Sequence, residues 1–225
     1  MPVKSSGTTM SQPLSELDQA FLQAAEEGNI EKLRRLWQQG AHICAHKDGK
    51  TAAYILAQKN HGQAVLALAK LDVRALDPTI KGHMTAAHWL ALYGNSRALM
   101  ALVNISPAIL EQADAVSRLT VAHWIAGKDD LETLLKMAKV NAAVLMQTDM
   151  AGHTPASRLS VESVVRLAKS YPHVKQQTSI IGAAILKGDP VYVKVLIKAG
   201  FALPDDVNTR LAQANLTRAD IGVEP

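Results

Sequence analysis

Apolar residues in this chain recur at three- and four-residue intervals, interrupted by short polar breaks. That spacing puts them on one stripe of a helix. Leu99, Leu102 and Val103 form one such stripe, and Leu131, Leu134, Leu135 and Ala138 form another. The pattern predicts helices over Gln63–Leu71, Ser96–Ile105, Leu131–Val140 and Val161–Ser170. Each is preceded by a shorter apolar segment opening on threonine. Thr51-Ala-Ala-Tyr-Ile-Leu-Ala57 is followed 34 residues later by Thr85-Ala-Ala-His-Trp-Leu-Ala91. Thr120-Val-Ala-His-Trp-Ile-Ala126 comes after 35 more, and Thr154-Pro-Ala-Ser-Arg-Leu-Ser160 after another 34. A sustained period of this length is the signature of a repeat architecture.

Two flanking segments carry the pattern more loosely. Phe21–Gly28 leads into Leu33, Leu36, Trp37 and Gly40, and Ile181–Gly188 leads into Val193, Leu196, Ile197 and Gly200. With Gln19 and Ser179 in the threonine position, the outer steps are 32 and 25 residues, and six helix pairs result. Gly40 and Gly200 suit the left-handed residue that ends a helix. Ser15, with Asp18 three residues on, is the expected first cap. Residues 1–14 are polar and read as a disordered lead-in, 15–204 as the repeat domain, and 205–225 as terminal capping helices. Asp205 or Asp206 can cap the first of those, and Thr217 with Asp220 the last.

Composition narrows the class to all-α. The chain has 35 Ala and 27 Leu but only 2 Phe, 4 Tyr and 3 Trp. Ala and Leu are strong helix formers, whereas a β-sandwich needs more β-branched and aromatic residues. One helix pair with a single Leu/Ala stripe cannot bury it alone, so neighbouring pairs must stack. Alanines at 52/53, 86/87 and 183/184 permit close helix approach. Glu26, Glu27, Glu31, Lys32, Arg34 and Arg35 supply a polar outer face at one end; Asp205, Asp206 and Arg210 supply it at the other.

The repeat resembles the ankyrin family. Asp149-Met-Ala-Gly152-His-Thr154-Pro155 is similar to the opening of that family's signature. His88 and His123 stand at its histidine, and Gly28, Gly94 and Gly188 at its inter-helix glycine. The resemblance spans residues 15–204 and implies a solenoid of about five to six helix-turn-helix repeats with short finger loops. It also implies that the histidines tie finger to helix. Departures are evident. Ala52, Ala86 and Val121 replace the proline, and His83 and Arg118 replace the finger glycine, so distorted or re-registered fingers are expected there. Arg158–Val161 leaves little room for a turn, which predicts a shortened first helix, and Tyr171–Gln177 reads as a plain connector.

The candidate chemistry is sparse. His88 and His123 lie one repeat apart, roughly 10 Å, too far to share a zinc ion at bonds of about 2 Å. Trp89 and Trp124 read either as a packed ladder or as a recognition pair, with packing favoured. Cys44 lies near His42 and His46, but no third and fourth ligand stand at a usual spacing. Phosphate-binding, zinc-protease and nucleophile-elbow motifs do not occur. The expectation is therefore a protein that is not an enzyme, with no catalytic residue, metal or cofactor.

The resemblance implies protein–protein recognition through the concave face and finger tips. Carried over residue by residue, it assigns Lys47, Asp48, Lys50, Gln58 and Lys59 in the second unit. In the third it assigns Lys81, Met84, Leu92 and Tyr93. Val116, Ser117, Leu119 and Lys128 follow in the fourth, and Met150 and His153 in the fifth. Leu92, Tyr93, Leu119 and Met150 mark the expected hot spot. The net charge of +4, with lysines near the tips, suits a partner with an acidic surface. Nucleic acid is disfavoured because aromatic interleaving is lacking. No stretch reaches the length of a membrane span, and a monomer is expected. One cysteine and no apolar leader point to a cytoplasmic protein. The diverged repeats are similar to ankyrin proteins of intracellular bacteria, which implies an effector delivered into a host cell without a signal peptide. The alternative reading is an enzyme or small-ligand-binding protein with a pocket at the irregular fifth repeat, where His153, Arg158 and His173 converge.

Overall fold

The computed structural model describes residues 14–77 and 84–223. The expected lead-in, apart from Leu14, lies outside the described residues, as do Lys81 and His83. Helix α1 (Glu16–Glu26) starts at Ser15, whose Oγ accepts the Asp18 amide at 3.1 Å and donates to the Asp18 carboxylate at 2.7 Å. Gly28, at φ +68°, turns the chain into α2 (Ile30–Gln38), which is capped by Asn29. The same hairpin recurs as α3 (Ala52–Gln58) with α4 (Gly62–Leu71), α5 (Ala86–Leu92) with α6 (Ser96–Ile105), and α7 (Val121–Gly127) with α8 (Leu131–Val140). In the fifth unit the first helix shrinks to a single 3-10 turn, Pro155–Arg158, before α9 (Val161–Ser170). The sequence α10 (Thr178–Leu186), α11 (Pro190–Lys198), α12 (Val207–Gln213) and a 3-10 turn at Ala219–Ile221 completes the described chain. Strand structure among the described residues is confined to β1 (His46–Lys47) paired with β2 (Lys50–Thr51), and an isolated bridge between Ala113 and Thr120. The molecule is all-α in class.

Consecutive hairpins lie side by side. The inner row runs α1, α3, α5, α7, then the Pro155–Arg158 turn, then α10, each against the next. The outer row runs α2, α4, α6, α8, α9, α11. Between the rows lies one continuous apolar core, with Phe21, Leu56, Leu90, Ile125 and Ile181 fully buried from the inner row and Leu33, Leu68, Leu99, Leu134 and Leu167 from the outer. The alanines at 52, 53, 86, 87 and 184 are buried between neighbouring helices. Helix α12 covers α10, and Val207 and Leu211 face inward while Asp205 and Asp206 face water.

Three expectations are corrected. Tyr171–Gln177 is not a plain connector, because Pro172–Gln176 forms a 3-10 turn that buries Val174. It continues a series formed by Val73–Leu76, Pro107–Leu110 and Ala142–Leu145, each buried by an apolar pair at its end. The finger holding Arg118 is not distorted. Arg118 takes φ +56°, as Gly49 (+75°) and Gly152 (+77°) do at the matching positions. Asp206 occupies the cap position of α12 without a capping bond, because Arg210 Nε holds its carboxylate at 2.7 Å. Thr217 and Asp220 do exchange hydrogen bonds in both directions.

Candidate protein-binding surface

Each described finger is a rigid turn with a local cause. In the second unit the Asp48-Gly49 pair has both residues at positive φ, as a two-residue type I′ hairpin turn requires. That turn fixes the register and sets Lys47 directly opposite Lys50. In the fourth unit the buried Asp114 carboxylate accepts the amides of Val116 (3.0 Å), Ser117 (2.8 Å) and Leu119 (2.8 Å). These bonds hold Arg118 in the left-handed region. Asp149 does the same for Ala151 and His153 at 2.9 Å each, and receives Arg158 Nη2 at 2.8 Å. Burial pushes the Asp149 carboxyl up, but these bonds outweigh it and hold the group below the usual carboxylate range.

The last two fingers touch. The Met150 amide donates to the Ser117 carbonyl at 3.0 Å. Val116 and Met150 thus sit on adjoining tips, 81% and 68% exposed. Because the two tips adjoin, they form a small exposed apolar patch, the kind of feature that marks an interaction surface when it is contiguous.

Histidine links the fingers to the helices. The Thr85 amide donates to His88 Nδ1 at 3.1 Å. An amide can only donate, so Nδ1 carries no proton and Nε2–H donates to the Leu119 carbonyl at 3.1 Å. His123 repeats this with the Thr120 amide and the His153 carbonyl, at 3.1 and 3.0 Å. Burial is the main cause holding both imidazoles below their ordinary value, hence neutral. In the fifth unit Ser157 stands where the histidine would be, and Gln177 takes over. It accepts the Thr154 hydroxyl at 2.6 Å and donates to the Leu145 carbonyl at 2.9 Å.

On the inner helices, Tyr93 is 45% exposed at the end of α5. It stacks on Trp89, centroids 5.9 Å apart, and Tyr54 meets Trp89 in a T-shaped contact at 5.8 Å. Both Trp89 and Trp124 pack against the core, as a ladder should, yet their Nε1 atoms are buried without a partner. Gln58, Met84, Leu92, Ser117, Leu119 and His153 are half-buried, and Lys128 is exposed. Lys59 is tied down, its Nζ 2.8 Å from both the Glu26 carboxylate and the Glu26 carbonyl. A groove of about 610 Å³ runs between α1 and the second-unit finger. Lys47, Asp48 and Lys50 form its rim, and Leu22, Ile55, Gln19 and Gln23 line it. The structure therefore brings Lys47, Asp48 and Lys50 together, and separately joins Val116, Ser117 and Met150. Tyr54 beside Trp89, and Gln19 and Gln23 at the groove, lie outside the binding residues expected from the sequence. The four-residue spacing of the two glutamines on α1 was the available signal.

Several groups with catalytic chemistry have structural partners. His42 Nδ1 lies 3.1 Å from Asp18, which also holds Ser15. The carboxylate stands between serine and histidine, so the imidazole cannot take the serine proton. Cys44 Sγ donates to the Arg74 carbonyl at 3.4 Å, and burial raises its thiol. Among the described residues no group of three metal-ligating side chains converges. Arg158 and His153 meet at Asp149, whereas His173 is edge-on to Tyr171. No described helix is long and apolar enough to cross a membrane. Comparison of the chain with protein-family models, and with curated proteins, yields no match.

Proposed function

We propose that the chain is a diverged ankyrin-type solenoid of five to six repeats that binds a partner protein through its inner face and finger tips, without catalysis. The observation that carries this is the pair Val116 and Met150. Both are large, apolar and exposed, and both stand on backbone fixed by a buried aspartate. A rigid tip offers contact area with little ordering cost on binding. Tyr93, backed by Trp89 and Tyr54, is a second exposed apolar point on the inner helices, an aromatic of the kind that anchors interfaces. Exposed Lys47, Lys50, Arg118 and Lys128 form no ion pair among the described residues, which suits an acidic partner. The family reading is supported by the threonine–histidine links and the side-by-side hairpins. A monomer working in a reducing, cytoplasmic setting fits the lone thiol, Cys44. Delivery into a host cell as an effector rests only on the likeness to ankyrin proteins of intracellular bacteria.

The test is affinity capture followed by titration of the purified partner. Val116→Asp with Met150→Asp should lower affinity at least tenfold while leaving the melting temperature within about 2 °C, since exposed substitutions perturb stability little. Undiminished affinity in the double variant would remove the tips from the binding surface.

A further inference from the structure

The groove between α1 and the β1–β2 finger carries an electrostatic conflict. Lys47 and Lys50 are opposed across the two-residue hairpin, both exposed, both on the rim of the groove. Like charges directly opposite in a strand pair destabilise it. The Asp48-Gly49 turn forces this register, so the lysines cannot slip apart. Neither forms an ion pair among the described residues, and Asp48, between them, forms none with either. The remaining acid of the groove, Glu26, is already neutralised by Lys59 at 2.8 Å. A net positive rim is thus held over an apolar floor of Leu22 and Ile55. The exposed amides of Gln19 and Gln23 flank it.

We infer that this groove is a docking site for an extended acidic peptide segment of a partner protein. Carboxylates would lie between the Lys47 and Lys50 ammonium groups and convert their repulsion into two ion pairs. Gln19 Nε2 already donates to the Leu14 carbonyl at 2.9 Å and Gln23 Nε2 to Glu27 at 3.4 Å, which leaves each amide its oxygen and a second N–H for a peptide backbone, and the floor takes an apolar side chain. A nucleic-acid backbone fits less well, because a dense, regularly spaced row of phosphates would meet Asp48 between the two lysines, whereas a peptide can place its carboxylates on the lysines alone. The chain's own residues 1–13 contain no Asp or Glu and offer no charge match. The inference rests on the reading of the chain as a protein-binding module but is tested apart from it, since the tip residues Val116 and Met150 are not among the residues lining the groove.

The experiment uses the full chain and fluorescence anisotropy. The probe is a fluorescein-labelled short peptide alternating glutamate and leucine. Its glutamine counterpart and an oligothymidine of similar length are comparators. The acidic peptide should bind saturably and weaken as salt is raised. Lys47→Gln with Lys50→Gln should reduce its affinity at least tenfold, since both ion pairs are lost. The same variant should melt at the same or a higher temperature, because the like-charge pair is gone. Gln19→Ala with Gln23→Ala should weaken binding without changing the salt dependence, while Val116→Asp with Met150→Asp should leave the peptide bound. Equal affinity in the double-glutamine variant, tighter binding of oligothymidine, or a lower melting temperature in that variant would each overturn the assignment. If the tip variant loses the native partner while the acidic peptide never binds, the groove is refuted and the wider reading stands.

Discussion

The Nε2 atom of His88 lies 3.1 Å from the carbonyl oxygen of Leu119, a residue 31 positions further along the chain. This one bond joins the start of α5 to the finger of the next unit. The other ring nitrogen accepts the Thr85 amide, so the link works only while the imidazole is neutral. Its folded-state pKa lies below the ordinary value, first because of burial, and His123 behaves alike. Protonation therefore favours the unfolded chain. The two histidines contribute their full stability above an unfolded value of about 6.5, and that contribution is lost as pH falls below it through the folded-state values. Melting temperature should be level from pH 8 to 7 and decline below about pH 6. His88→Ala removes the acceptor of the Thr85 amide, one half of the capping box of α5, and strands the Leu119 carbonyl, for a loss of about 2–4 kcal/mol at pH 7. The variant should show a shallower acid limb. A limb as steep in a variant lacking both histidines would assign the acid sensitivity elsewhere.

Asp149 carries a different part of the same surface. Replacing it with Ala leaves the Ala151 and His153 amides and the Arg158 guanidinium without their acceptor. A loss of about 2–4 kcal/mol is expected for so many unmade charge-assisted bonds. Hydrogen exchange should accelerate at Ala151 and His153 before it does in α7 or α8. Because the folded-state carboxyl lies below its unfolded value, this stabilisation is present above about pH 4 and disappears as pH falls further. Histidine and aspartate losses thus occupy separate pH ranges, and a thermal scan across pH resolves them.

Much of this was legible in the chain. The 3.6-residue stripes gave α6, α8 and α9 with the bounds observed, Ser96–Ile105, Leu131–Val140 and Val161–Ser170. The links made by His88 and His123 were expected only through the ankyrin resemblance, which implies that these histidines tie finger to helix. The 3-10 turns were not legible, because a four-residue element has no period; only the buried pairs Ile109-Leu110 and Val144-Leu145 betray it afterwards. Gln177 was hidden for another reason. It lies 23 residues from Thr154, so no local spacing connects the two. The Tyr54–Trp89–Tyr93 stack joins two repeats, and a pattern read within one repeat cannot contain it.

Arg118 holds a finger turn without being glycine. A left-handed residue with a Cβ costs roughly 1–2 kcal/mol, which by itself favours a distorted loop. Asp114 supplies three amide hydrogen bonds that outweigh that cost. Arg118→Gly should relieve the strain while adding backbone freedom to the unfolded chain, an opposing effect of about 0.4–1 kcal/mol. The net expectation is a gain of roughly 0.5–1 kcal/mol, measured as a higher denaturation midpoint with an unchanged slope. A lower midpoint would mean that the guanidinium makes a stabilising contact outweighing the φ of +56°.

Two glycines outside the left-handed region separate packing from helix propensity. At Gly62, the first residue of α4, an added Cβ would lie 2.6 Å from the Ala98 Cβ of α6 and 2.6 Å from Asn95 Nδ2. The methyl of Ala98 cannot rotate away, so α4 and α6 must separate. At Gly127, the last residue of α7, an added Cβ meets nothing within 4 Å. Helix propensity favours Ala over Gly by about 0.8–1 kcal/mol in a helix interior and by less at helix ends such as these. Gly127→Ala should show a gain of up to about 0.5 kcal/mol. Gly62→Ala should instead lose about 1–3 kcal/mol, the usual cost of forcing atoms into a filled interface. Chemical denaturation of the two variants side by side checks the difference in sign. If both variants gain stability, the outer helices are packed more loosely than the 2.6 Å approach requires, and the close stacking of the second and third hairpins is not what fixes their spacing.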